Sequence, residues 1–284
     1  MIRRLRVAGL LVVLVPAGLV LVGLQMLALR FGWRLSHWIP VVFHRLACRL
    51  LRVRVAVRGE PVTGQAVLVV SNHTTWLDIV VLSTLQPMSF IAKSEVAGWP
   101  LFGTLARLQR TIFIDRSRRK GAAEANGEIA ERLAGGDAIV LFAEGTTSDG
   151  GRVLPFRSSL LGAARDAIAR AGHDGHVLVQ PVTVAYPARG GLPVGYGDRP
   201  GIAWYGDMDL IPHLVGIIAG PPLDAVCVWG TPMPFDAGSD RKAVTRAVET
   251  EVRATFARER TGRTPEPPST PSGRIPVLTR AQTV

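Results

Sequence analysis

The chain opens on a stretch in which no charged residue interrupts the apolar ones, from Val7 to Leu29. At about 1.5 Å per residue it is long enough to cross a hydrocarbon core of about 30 Å. It predicts a transmembrane helix rather than a cleaved signal, because the run exceeds an ordinary signal core and no small-x-small site precedes the polar turn. Pro16 and Gly18 are places where the helix can kink, or fold back as a re-entrant hairpin. Arginines flank both ends (Arg3, Arg4 and Arg6 before, Arg30 and Arg34 after), so charge alone does not orient it. From Trp33 to Val57 the apolar positions are interleaved with Arg34, His37, His44, Arg45, Arg49, Arg52 and Arg54. That pattern suits a helix lying among lipid headgroups, with Trp33 and Trp38 at the interface. An ordinary amphipathic helix with a solvated basic face is the alternative.

After Gly59 and Pro61 the period changes. Short β-branched runs alternate with helical stretches, which predicts an α/β domain whose sheet is mostly parallel and flanked by helices. The expected strands are Ala66 to Val70, Phe90 to Ala92, Ile112 to Ile114, Ile139 to Phe142, Val177 to Ala185 and Val226 to Trp229. The expected helices run near Leu77 to Leu85, Gly121 to Ala134, Ser158 to Ala171 and Asp240 to Arg260. Gly190 to Gly201, rich in Gly and Pro, reads as a surface loop. From Gly262 the tail has no apolar period and reads as disordered. The expected organisation is therefore a membrane-anchoring segment (1–58), a catalytic domain (59–261) and a tail (262–284).

Composition narrows the partners. Lys plus Arg number 33 against 22 Asp plus Glu, a net charge of +11, which attracts something anionic. Nucleic acid is not expected, since there are no C-x-x-C pairs, no aromatic RNA-binding strand and no helix-turn-helix spacing. Membrane lipid fits the apolar N-terminus better. Cys48 and Cys227 sit far apart in apolar surroundings and read as packing residues of a reducing compartment.

The chemistry gathers at Ser71-Asn72-His73-Thr74-Thr75-Trp76-Leu77-Asp78, directly after a hydrophobic strand. In open α/β sheets, ligand sites gather at the carboxyl ends of strands. On one continuous helix, five residues would point His73 and Asp78 about 140° apart, at about 100° per residue. The pair works if His73 lies in the loop and Asp78 in the first helical turn, where the carboxylate can hold one ring nitrogen and leave the other to take a proton. The bland alternative is a buried histidine capping a helix whose Asp complements the dipole. His173 and His176, spaced H-x-x-H, read as a polar loop rather than a metal site, and no metal or bound cofactor is expected.

Three later segments bear on this choice: Thr111-Ile112-Phe113-Ile114-Asp115-Arg116, Phe142-Ala143-Glu144-Gly145-Thr146-Thr147-Ser148 and Val179-Gln180-Pro181-Val182. In this order and spacing, together with Asn72-His73 and Asp78, they resemble the four blocks of the glycerolipid acyltransferase family typified by 1-acyl-sn-glycerol-3-phosphate acyltransferases. The likeness covers roughly residues 65 to 190. It implies a catalytic dyad of His73 and Asp78 and an acceptor site built from Asn72, Lys93, Arg116, Glu144, Gly145 and Thr146. A guanidinium suits a phosphate, and a Gly-Thr turn lets backbone N–H groups approach an anion. The third block departs from its usual form: Ala143 stands for proline and Thr147 for arginine. Arg152 or Arg157 is then expected to supply the missing cation. The stretch through Arg157, with Tyr205-Gly206-Asp207-Met208-Asp209, is also similar to lyso-ornithine-lipid acyltransferases.

The resemblance implies transfer of a fatty acyl group from acyl-CoA or acyl-carrier protein to the hydroxyl of a lysophospholipid, 1-acylglycerol-3-phosphate giving phosphatidic acid. The expected place is the bacterial inner membrane, with the domain on the cytoplasmic side. A lyso-ornithine lipid is the alternative acceptor, and a noncatalytic lipid-binding protein the reading from another class. Direct transfer is expected over an acyl-enzyme, because there is no G-x-S-x-G elbow and neither cysteine has a basic partner in sequence that marks it as a nucleophile.

Overall fold

The computed structural model describes residues 2–115, 119–162, 177–236 and 238–261. Helix α1 (Ile2–Arg30) continues without interruption through Pro16 and turns at Phe31–Arg34 into α2 (Leu35–Leu51). The two pack as a hairpin: a Cβ on Gly18 would lie 3.7 Å from the Phe43 ring, and Gln25 Nε2 donates to Ser36 O at 2.9 Å and to Leu108 O at 2.7 Å. The stretch of α1 from Val12 to Arg30 is long and apolar enough to cross a membrane, and only 11% of its hydrophobic window is buried within the fold.

The expected interfacial helix ends earlier than its composition suggests. Arg52 closes α2 in the left-handed conformation at φ 58°, and Val53–Arg58 is strand β1. The period of Val-Arg-Val-Ala-Val-Arg is two, and its Arg54 and Arg58 pair with Asp224 and Glu259 at 2.6 Å each. The sheet therefore starts before residue 59.

The remaining strands are β2 (Val67–Ser71), β3 (Ser89–Lys93), β4 (Ile112–Ile114), β5 (Ala138–Phe142), β6 (Val177–Arg189), β7 (Leu192–Pro193), β8 (Leu223–Trp229) and β9 (Met233–Phe235). The helices are α3 (Leu77–Leu82), α4 (Phe102–Leu108), α5 (Arg119–Ala134), α6 (Leu210–Ala219) and α7 (Arg241–Arg260), the last capped by Asp240, whose side chain accepts from Lys242 N–H. Residues 158–162 are also helical; the rest of the helix expected to Ala171, the His173 and His176 pair, and the tail from 262 lie outside the described residues.

The sheet order is β1-β8-β6-β2-β5-β3-β4, with β7 and β9 also on β6. Strands β6, β2, β5, β3 and β4 run parallel, as do β1 and β8, but β8 meets β6 antiparallel. The expectation of a mostly parallel sheet flanked by helices holds, and the antiparallel pairing of β8 with β6 makes the sheet mixed. Central β2 is buried on both faces, as its unbroken Val-Leu-Val-Val run requires. One apolar layer joins the sheet to α5, the 158–162 helix and α7; the other joins it to α2, α3 and α6, with Leu14 of α1 packed against it. The loop expected at Gly190 to Gly201 carries the β6–β7 hairpin and a 3-10 turn, Tyr196–Gly201.

Candidate active site

The parallel register sets Ser71 of β2 beside Phe142 of β5 and Val182 of β6, so the carboxyl ends of these strands share one edge. His73 lies in the loop leaving β2, and Asp78 in the first turn of α3. His73 Nδ1 donates to Asp78 Oδ2 at 2.9 Å. The same oxygen accepts the N–H groups of Thr74 at 2.6 Å and Thr75 at 3.0 Å, and Tyr186 Oη donates to Oδ1 at 2.7 Å. Asp78 is fully buried, and an unpaired carboxylate there would be costly; these donors remove that penalty and fix its direction. Burial, then the neighbouring Asp78 charge, hold the Tyr186 phenol well above its usual range, so it stays a donor.

The His73 ring stacks on Phe142, centroids 3.8 Å apart and planes 11° from parallel. Its side chain keeps 16% exposure, and among the described residues nothing holds Nε2. One ring nitrogen is thus oriented by a carboxylate and the other is available to a substrate hydroxyl.

Glu144, expected to help form the acceptor site, is held by backbone partners inside the fold. Buried at the end of β5, its Oε1 accepts His73 N–H at 2.7 Å and its Oε2 accepts Leu154 N–H at 2.8 Å, so it ties two loops of the site together. Burial, reinforced by Asp78, pushes its carboxyl up to about 7, against the N–H groups of His73 and Leu154 and the charge of Arg253. Asn72, also expected among the acceptor ligands, is buried with both ends of its amide paired: Nδ2 donates to Val184 O and Oδ1 accepts Val184 N–H, both at 2.9 Å. It pins the His73 loop to β6.

Gly145 adopts φ 71°, and a Cβ there would sit 3.2 Å from Arg157 Cδ and 3.3 Å from Nε. The glycine both makes the turn and lets the Arg157 side chain cross it. Thr146 and Arg157 are exposed beside this turn, as is Lys93 at the carboxyl end of β3. Arg116 lies outside the described residues, which stop at Asp115, one residue past β4.

Sequence reasoning missed Tyr186, Phe142 and the supports of the His73 loop. Ser148 N–H donates to His73 O at 2.8 Å, Trp204 N–H to Thr74 O at 3.0 Å, and Trp76 Nε1 to His213 Nδ1 at 3.0 Å. Each partner comes from a segment distant in sequence, so no local spacing announces it. Neither cysteine is poised as a nucleophile: burial raises Cys48 to about 12 and Cys227 further. Among the described residues no three His, Cys, Asp or Glu side chains group as metal ligands.

A histidine and aspartate so arranged occur in many hydrolytic and transfer sites, and comparison with known proteins distinguishes among them. The Acyltransferase family profile matches residues 54–185, which span His73, Asp78 and Glu144. A lyso-ornithine lipid O-acyltransferase of Brucella abortus is 46% identical over 256 residues, 89% of this chain and 95% of its own. The chain belongs to the acyltransferase family. A 1-acyl-sn-glycerol-3-phosphate acyltransferase of Neisseria gonorrhoeae is 34% identical over 70% of this chain and 73% of its own. The crystal structure of the 1-acyl-sn-glycerophosphate acyltransferase PlsC of Thermotoga maritima shares the fold, with TM-score 0.62 over 90% of this chain and 96% of that one at 22% identity. For this acyltransferase, the His73–Asp78 pair, Asn72 and Glu144 lie on the segment that carries the family likeness, while Tyr186, Trp204 and His213, which support the pair and its loop, lie beyond residue 185.

Proposed function

We propose that this acyltransferase moves a fatty acyl chain from a thioester to the free hydroxyl of a lyso-ornithine lipid, with His73 as general base. The observation that carries the chemistry is the His73–Asp78 pair, with Nε2 held by no partner among the described residues. Nε2 takes the hydroxyl proton as the oxygen attacks the thioester carbonyl; the C–S bond then breaks and the leaving thiolate recovers the proton from His73. Asp78 holds the imidazole in the tautomer this requires, and Tyr186, Asn72 and Glu144 hold the pair in place.

The acceptor assignment rests on relatives and on one residue. Four relatives 33 to 46% identical are lyso-ornithine lipid O-acyltransferases, and Thr147 stands where a phosphate-binding arginine is usual. Lysophosphatidic acid, the first expectation from sequence, keeps specific support: Arg157 crosses the Gly145 turn, and the Neisseria relative carries the corresponding name. The donor is acyl-CoA or acyl-carrier protein, both anionic and suited to a chain of net charge +11. The reading sets the sheet on the cytoplasmic side of the inner membrane, where such thioesters are made.

Competing the two lysolipids in one assay tests the acceptor, and preference for lysophosphatidic acid by more than about tenfold in kcat/KM, about 1.4 kcal/mol, overturns it. His73→Ala tests the base: turnover should fall about 10² to 10⁴ with either acceptor, and a loss below about tenfold rejects the role. Absence of any thiol release from the donor in the presence of lysolipid would leave only a lipid-binding protein.

A further inference from the structure

Two loops that hold the His73 loop also carry charges that the dyad does not use. The first follows β5: Ser148 N–H donates to His73 O at 2.8 Å, and a Cβ on Gly150 would lie 3.3 Å from Thr74 Cγ2 and 3.5 Å from Ala203 Cβ. The second leaves the 3-10 turn Tyr196–Gly201: Ala203 N–H donates to Arg199 O at 2.8 Å, and Trp204 N–H to Thr74 O at 3.0 Å. Asp149 stands on the first loop and Arg199 on the second, and they come together at Gly151. A Cβ there would lie 2.7 Å from Arg199 Nη1, 3.1 Å from Asp149 Oδ1 and 3.4 Å from its Oδ2, so the missing side chain leaves a gap bordered by a guanidinium and a carboxylate. Each charge is held by its own loop. Asp149 Oδ1 accepts Gly151 N–H at 2.9 Å, and the Arg199 guanidinium lies over the Tyr196 ring, 5.1 Å from its centroid. Among the described residues neither group makes an ion pair, and Asp149 Oδ2 has no hydrogen-bond donor.

Opposite charges that stand close without pairing fit a ligand that brings both signs. The headgroup of a lyso-ornithine lipid does so, with a free ammonium and a free carboxylate on one amino acid. A phosphomonoester brings negative charge alone, and the Asp149 carboxylate repels it. We propose that Asp149 and Arg199 select the acceptor at the Gly151 gap: the Asp149 carboxylate receives the ornithine ammonium, and the Arg199 guanidinium receives the ornithine carboxylate, for which its planar donors are suited. The assignment rests on the lyso-ornithine reading above and deepens it. Thr147 only withholds a cation from phosphate, whereas Asp149, two positions on, works against phosphate and for an amine. Gly151 belongs to the same arrangement, because any side chain there would enter the space between the two charged groups.

Pairing variants of the full chain with altered acceptors tests this on vesicles of phosphatidylcholine. One analogue is lyso-ornithine lipid with its free amine acetylated, and the other is its carboxylate methyl ester. With wild type, either change should raise the apparent KM about tenfold at little cost in kcat, the scale of one charged hydrogen bond. Asp149→Asn, whose amide oxygen can still accept Gly151 N–H, should raise KM for lyso-ornithine lipid about tenfold and add nothing to the loss seen with the acetylated analogue. Arg199→Gln should do the same and add nothing with the methyl ester. In the crossed combinations, Asp149→Asn with the ester and Arg199→Gln with the acetylated lipid, both losses should appear. Asp149→Arg should shift competition between the two lysolipids toward lysophosphatidic acid. The analogue measurements on wild type need no variant to fold, and variants are compared where their melts show them folded. A wild type indifferent to acetylation and esterification, or variant losses of equal size with every acceptor, overturns the pair while leaving lyso-ornithine lipid as the acceptor. Turnover by wild type of lysophosphatidic acid and not of lyso-ornithine lipid overturns the acceptor reading and the pair with it.

Discussion

Asp78 receives four hydrogen bonds on two oxygens, and only the one to His73 is visible in the spacing of the sequence. Tyr186 arrives from β6, more than a hundred positions away, and gives no sign of itself except as one more apolar-run residue. Hydrogen bonds to a charged group contribute about 1.5 to 3 kcal/mol, so Tyr186→Phe should lower kcat about tenfold or more, with KM for the lysolipid little changed. Steady-state kinetics check this; a loss confined to KM would make Tyr186 a substrate contact instead. Asn72 and Glu144 show what residue type alone leaves out: a polar side chain in a motif reads as a ligand, and here both are buried and also hold backbone partners that no spacing announces. Glu144 also sets a pH dependence. Its carboxyl is raised from 4.5 to about 7 in the fold, so between those values the folded protein holds a proton that the unfolded chain releases. The stability it contributes is full below 4.5, declines across that window and is gone above about 7. Thermal melts should show the advantage of wild type over Glu144→Gln, which does not titrate, shrinking from pH 5 to pH 8; a constant difference rejects the shift.

Elements with a single clear period were legible. Strand β2 was found because it is continuously apolar, and the start of α3 because the His73–Asp78 spacing requires a loop followed by a helical turn. Helix α6 was silent for the opposite reason: with no polar face it has no period to detect. Strand β1 was hidden in a basic run, where the arginines that line α2 continue without a break in composition and only the left-handed Arg52 marks the change. The outward stripe of α2 passes from Leu35, Trp38 and Val42 to Arg45 and Arg49, apolar first and then basic. That order predicts how the two N-terminal helices divide attachment. Intact protein should stay with membranes in about 1 M salt, because burial of α1 is not screened. Removal of residues 1–32 also removes the Gln25 tie to α4, so the truncated form is compared only where its melt shows it folded. It should then bind anionic vesicles through α2 and come off with salt. Salt release of the intact protein would contradict the division.

At the scale of the molecule, an α/β sheet with helices on both sides was legible from alternating periods, while strand direction was not. Nothing in Val226–Trp229 marks β8 as antiparallel to β6, because direction follows from the connection through α6 rather than from the strand's own residues. The same connection puts α6 on the side of the sheet that holds α2 and α3, against α1, and leaves α5 and α7 on the other. On the proposed function, a molecule so sided meets its two substrates in different phases, one dissolved in three dimensions and one in two. The concentration that matters for the lipid is its mole fraction in the bilayer, so the rate should fall when inert phospholipid is added at fixed total lysolipid and fixed donor. Doubling the vesicle lipid should then act as dilution of the acceptor does, although the amount of lysolipid in the tube has not changed; a rate indifferent to added lipid would mean the acceptor is taken from water.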